Sequence, residues 1–178
     1  MKNSTNSVPS SNHIVKLLSH LCEESTLEKK KHYNAADRVK TYHYWLGIPS
    51  IALSVILGTT LIGLASEEWP DGIKWIGAIL AAILTLLTSF QTFFNFEKKA
   101  ESHRILAARF LSIKRECERN ISYGKEGNIT QGDLKDIFES LSQKYEQAIE
   151  DAISCPTKQK DYLKAKQGIE GGEEEYSV

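Results

Sequence analysis

Five polar side chains, Thr85, Thr88, Ser89, Thr92 and Asn95, recur at close spacing inside an otherwise apolar stretch. On a helix turning roughly 100° per residue they join Ala78, Ala81 and Ala82 within an arc of about 140°. The opposite side carries Ile79, Ile83, Leu86, Leu87, Phe90, Phe93 and Phe94. A small, hydroxyl-bearing stripe of this kind has two physical uses. It lets helices approach closely and hydrogen-bond across the contact. Alternatively, it lines a hydrated path when several copies surround an axis. Gln91 lies off the stripe's centre, and an amide at depth requires a protein or water partner. A second ridge, Gly47, Ser50, Ser54 and Gly58, has the three- and four-residue spacing of a close-approach surface.

Catalytic constellations are missing. The sequence has no H-E-x-x-H, no Gly-rich phosphate loop, no G-x-S-x-G and no His-Cys cluster at metal-ligand spacing. The expectation is therefore a protein that is not an enzyme and has neither metal nor cofactor. His43 and His103 read as interfacial or bundle hydrogen-bonding residues rather than ligands.

The elements that must position the stripe are two uncharged apolar runs, Trp45 to Ser66 and Trp75 to Phe96, each longer than 20 residues. A helix of about 20 residues crosses a hydrocarbon core of ~30 Å. Each Leu, Ile, Val or Phe at depth contributes roughly −0.3 to −0.6 kcal/mol, which outweighs the few Ser and Thr. The runs thus read as a membrane hairpin, with spans at about 45–66 and 75–96. Lys and Arg crowd both outer flanks, whereas the connecting segment carries Glu67, Glu68 and Asp71 against Lys74. That asymmetry places both termini in the cytoplasm and the acidic loop outside. Two helices cannot enclose a pore, so any channel would be an oligomer of several copies.

With 178 residues and a net charge of −1, the chain has room for one domain and lacks the basic stripe of a nucleic-acid binder. Cys22, Cys117 and Cys155 are isolated and read as small, reduced core residues. Residues 1–12 are Ser- and Asn-rich and are expected to be disordered. An amphipathic helix follows through Ile14, Leu17, Leu18, Leu21 and Cys22, and Ser25 or Thr26 could cap a second one. Pro49 suggests a helix start or kink. Nothing between Trp75 and Ile121 breaks a helix, so the second span is expected to run on into the cytoplasm. Thr130 with Asp133 resembles an N-cap before a stripe of Leu134, Ile137, Phe138, Leu141, Tyr145 and Ala148. The expected fold is all-α: a hairpin over cytoplasmic helices at about 13–43, 97–122 and 130–154, with 168–178 a flexible acidic tail.

This layout resembles the SLATT domain over residues 13–167. The carrying positions are Tyr33-x-x-Ala36-x-x-Val39, Ser50-x-x-x-Ser54 and Asn95-x-x-x-x-Ala100-x-x-His103-x-x-x-Ala107-x-x-Phe110, with Cys155-Pro156 and Asp161-Tyr162-x-x-Ala165-Lys166 near the C-terminus. The resemblance implies an inner-membrane effector of bacterial anti-phage defence. It would assemble with copies of itself into a pore, once triggered by a sensor or nucleotide-second-messenger component. A non-conducting membrane anchor that presents a helical bundle to a partner is the alternative.

Overall fold

The computed structural model describes residues 11–64 and 71–174. They form five helices, and no strand occurs among them: α1 (Ser11–Leu64), α2 (Asp71–Phe94), α3 (Phe96–Lys125), α4 (Gln131–Ile153) and α5 (Gln159–Glu170). The segment expected to be disordered lies mostly outside the described residues, as do Glu67 and Glu68 of the acidic loop; Asp71 opens α2. Residues 36–101 make one compact unit, and residues 1–35 with 102–178 make the other.

The second of these units is a helical bundle. Ile14, Leu18 and Leu21 of α1 share a core with Phe110, Ile113 and Cys117 of α3 and with Leu134, Leu141 and Ala148 of α4. These are the periodic apolar positions of three amphipathic faces, each buried because the others remove it from water. Burying an aliphatic or aromatic side chain of this size contributes about 1.5–3 kcal/mol. Phe110 is fully buried, stacked on His32 at 5.8 Å and edge-on to Tyr145 at 5.7 Å. Thr130 caps α4 by accepting the Asp133 amide at 3.3 Å, as its position ahead of the stripe suggests. Burial drives the Cys117 thiol up to about 12 and raises that of Cys22, so both stay protonated.

Two local expectations give way. Ser25 and Thr26 cap nothing, because α1 runs straight through them. Both are buried, and Thr26 donates to the Cys22 carbonyl at 2.7 Å, as a mid-helix hydroxyl does. Pro49 sits inside α1, so of the helix start or kink suggested there it is the start that does not occur.

The acidic end of the chain is also tied down as far as Glu174, where a loose tail was expected. Gly172, at φ 80°, turns the chain after α5, and the Glu173 amide bonds back to the Gly168 carbonyl at 3.1 Å. Glu174 then bridges two buried ammonium groups, Lys29 at 2.7 Å and Lys114 at 2.7 Å. Burial alone would raise the Glu174 carboxyl, but its bonds to Lys114 and Lys29 hold it down to about 2. Burial would likewise lower Lys114, yet Glu174 and Glu118 leave it raised.

A histidine pair completes the bundle's polar interior. His32 Nδ1 and His103 Nδ1 lie 3.0 Å apart, each ring nearly excluded from solvent. Desolvation, then His103 and Lys31, lower His32 from 6.5 to about 4, against a weaker pull from Asp161. Between those values the unfolded chain holds a proton that the folded chain refuses, so stability rises with pH there. Thermal melts of the detergent-solubilised chain should show stability declining as pH falls from 6.5 to about 4. The loss should reach about 3 kcal/mol at most. His32→Leu should flatten that slope, and an unchanged slope would mean His32 is not its source.

Candidate functional site

The unit formed by residues 36–101 carries the polar stripe, and its surface is apolar. Trp45, Ile48, Ile51, Val55 and Ile56 on α1 are exposed, as are Trp75, Ile76, Ile79, Leu86, Phe90 and Phe93 on α2. Among the described residues, one helical stretch, Trp75–Lys125, is long and apolar enough to cross a membrane. Its most apolar part carries no charge and buries none of its residues inside the protein. The core helix of a soluble protein would be mostly covered; here no residue of that part is buried. So large an apolar surface without cover from its own chain calls for lipid or for another protein surface.

What cover exists follows a seam. On α2 the less exposed positions are Gly77, Leu80, Leu84, Leu87 and Gln91, and on α1 they are His43, Leu46, Ser50, Leu53, Leu57 and Thr60. Alternating steps of three and four keep such a line facing one partner helix. Ser50 is buried, and Gln91 Nε2 donates to its hydroxyl at 3.2 Å. That hydroxyl in turn donates to the Leu46 carbonyl at 2.7 Å. A side chain on Gly47 would meet Gln91 Nε2 at 3.8 Å, an ordinary contact. The Gln91 amide therefore finds a partner on the neighbouring helix. Of the α1 ridge, Gly47 and Ser50 lie along this seam, whereas Ser54 and Gly58 are exposed beside it.

The hydroxyl stripe takes no part in the seam. Thr85, Thr88, Ser89 and Thr92 are all exposed. At roughly 100° per residue, the stripe, the seam and the Phe-rich side stand about 120° apart around α2. The hydroxyl protons are nevertheless satisfied within the helix. Thr85 donates to the Ala81 carbonyl at 2.8 Å, Ser89 to Thr85 at 2.7 Å, and Thr92 to Thr88 at 3.0 Å. Thr88 shares its proton between Leu84 and Thr85, both at 3.0 Å. The face thus offers acceptor lone pairs and small volume to whatever covers it.

Asn95 ends α2 by a different means from the rest of the stripe. Its φ of 41° is left-handed, a conformation that Asn tolerates better than most side chains. Its Oδ1 accepts the Lys98 amide at 3.4 Å, so the same residue caps α3. The helix expected to be unbroken from Trp75 to Ile121 is therefore interrupted once, although backbone bonds Asn95 to Gln91 and Lys99 to Asn95 bridge the break. Aromatic rings and lysines gather around it. Phe94 stacks on Phe96 at 5.5 Å, Tyr42 tilts against Phe96 at 6.3 Å, and Lys99 lies 5.5 Å from the Phe94 ring. Rings and long cations in this arrangement suit the edge of a bilayer, apolar on one side and wet on the other.

Comparison with known proteins adds the family. Residues 19–177 match the SMODS and SLOG-associating 2TM effector domain family 4, the SLATT family, and the chain belongs to it. No curated protein and no solved structure matches the chain. The family description and the uncovered apolar helix together mark a membrane effector of conflict systems. The positions that carried the resemblance are largely packing positions: Ala36, Val39, Ala100, His103, Ala107, Phe110, Cys155, Asp161 and Ala165 are all buried. Lys29, Lys30 and Lys114 read from sequence only as positive charge flanking the apolar runs, and Glu173 and Glu174 only as an acidic tail; their pairing was not foreseen.

Three substitutions test this local geometry. Asn95→Gly should leave the melting temperature of the solubilised chain unchanged or slightly higher. Asn95→Val should lower stability by about 1–2 kcal/mol, because a β-branched residue resists a left-handed backbone. Gln91→Leu should weaken the pair of apolar helices by about 0.6–2 kcal/mol in detergent unfolding, the usual range for an interhelical bond in lipid.

Proposed function

We propose that both apolar segments cross the bacterial inner membrane as a hairpin with cytoplasmic termini. Several copies then assemble with the Thr85, Thr88, Ser89 and Thr92 face towards a shared axis. In this reading the assembly opens a hydrated path that disrupts the membrane during anti-phage defence. Its closed and open packings are biased by an upstream sensor or nucleotide signal. The chain acts through conduction rather than catalysis. One observation carries the proposal: the hairpin packs through its seam and leaves the hydroxyl face uncovered. Phe90, Phe93 and Leu86 supply a separate bulky face suited to lipid. The third face is therefore available to neighbouring copies or to water.

A second reading draws on the same hydroxyls. Because each proton is bonded to a carbonyl of its own helix, the face can also pack against another helix without water. The hairpin would then anchor a non-conducting scaffold. Dye and ion release from liposomes containing the purified chain separates the two. Thr88→Leu and Thr92→Leu should each reduce release severalfold while oligomer size and expression stay unchanged. Release that is equal in both variants and the parent would remove these residues from a pore wall. Absence of release under any trigger would favour the scaffold.

A further inference from the structure

The helical bundle of residues 1–35 and 102–178 contains a cationic pocket whose occupant is the chain itself. Lys29, Lys30, Arg115 and Lys164 line a cavity of about 370 Å³, with Tyr33 beside them. Lys114 reaches the same point from α3 through its bond to Glu174. Among the described lining residues the only acids are Glu173 and Glu174. Glu174 places one carboxylate oxygen 2.7 Å from Lys29 and the other 2.7 Å from Lys114, while Glu173 lies 2.6 Å from Lys30. A phosphate group is held in the same way, by charge-assisted bonds to several of its oxygens from cations on different elements.

The way the two glutamates arrive marks them as exchangeable. They follow the turn at Gly171 and Gly172 and belong to no helix. Gly168 leaves the space that Glu173 fills, since a β-carbon there would run into its carboxyl group. Lys29 and Lys114, by contrast, are fixed within long helices and are almost fully buried. Lys114 also has Glu118 at 3.4 Å, whereas release of the tail would take from Lys29 its short contact with Glu174, so an anion that replaces the tail restores that charge pairing. The cations around the cavity outnumber the tail's two carboxylates, so a ligand of higher charge would neutralise them better. The volume lies within the roughly 300–1,000 Å³ typical of small-molecule sites, and the Tyr33 ring offers a face for a planar base.

We propose that this pocket binds a phosphate-bearing small molecule, and that Glu173 and Glu174 hold its place until the ligand displaces them. The readout is binding and tail release, so the result stands apart from whether the apolar hairpin conducts. Calorimetric titration of the full chain in detergent would use pyrophosphate, ATP and a cyclic dinucleotide as probes. The double variant Glu173→Gln with Glu174→Gln should bind at least one probe roughly tenfold more tightly than the parent, because the internal competitor is weakened. Arg115→Gln with Lys164→Gln, both exposed positions, should weaken binding by a similar factor with little change in melting temperature. Hydrogen exchange at residues 171–174 should accelerate when the parent is saturated. A parallel arm compares phosphatidate with phosphatidylcholine vesicles; a response to phosphatidate alone would keep the phosphate chemistry and assign it to a lipid headgroup. The proposal is overturned if no phosphate-bearing probe binds either the parent or the double variant at millimolar concentration. It is equally overturned if binding ignores the loss of Arg115 and Lys164.

Discussion

The seam between α1 and α2 constrains everything else in the apolar unit. A helix has one circumference, and the line Gly77, Leu80, Leu84, Leu87 and Gln91 uses about a third of it. The bond between Gln91 and Ser50 makes that line specific, since sliding one helix along the other would break it. Once this face is committed, the remaining surface of α2 divides by chemistry into a bulky, Phe-rich side and a small, hydroxylated side. Aliphatic and aromatic bulk is at home against lipid chains. Small hydroxylated residues favour backbone approach or hydration, so the two sides call for different neighbours.

The bundle built from the other residues works by a different principle. Its core is apolar, but it also contains a histidine pair and lysines that are nearly excluded from solvent. Each of these polar groups is held by a partner far away in sequence. Lys29 meets Glu174 across 145 positions, and His32 meets His103 across 71. Such contacts stabilise only when the whole arrangement is intact, since an unpaired buried charge costs several kcal/mol. The polar interior therefore ties the two ends of the chain to the middle.

How much of this was legible in the sequence depends on the range of the physics involved. Helices with a regular apolar stripe, such as those through Ile14, Leu18 and Leu21 or Leu134 and Leu141, announce themselves because their period is local. Cap chemistry at Thr130 and Asp133 is equally local. Ser25 and Thr26 misled because a hydroxyl that can cap a helix can also bond within one, and burial decides between them. Asn95 was read for its polarity, whereas its ability to adopt a left-handed backbone shapes the chain there. Membership of the SLATT family was visible from layout, and the matching positions turn out to be mainly those that pack. The lysine pocket was not visible at all, because nothing near Lys29 indicates that Glu174 will return to it.

The three thiols have a practical corollary. Cys117 and Cys155 are shielded, and Cys22 is half-buried with its ionisation suppressed. Maleimide reagents act on accessible thiolates, so the native chain is close to silent towards them. A cysteine placed along α2 would react where its position meets water and stay silent where it meets lipid. Water-soluble and lipid-soluble labels could then be compared residue by residue, with the unmodified protein serving as its own blank.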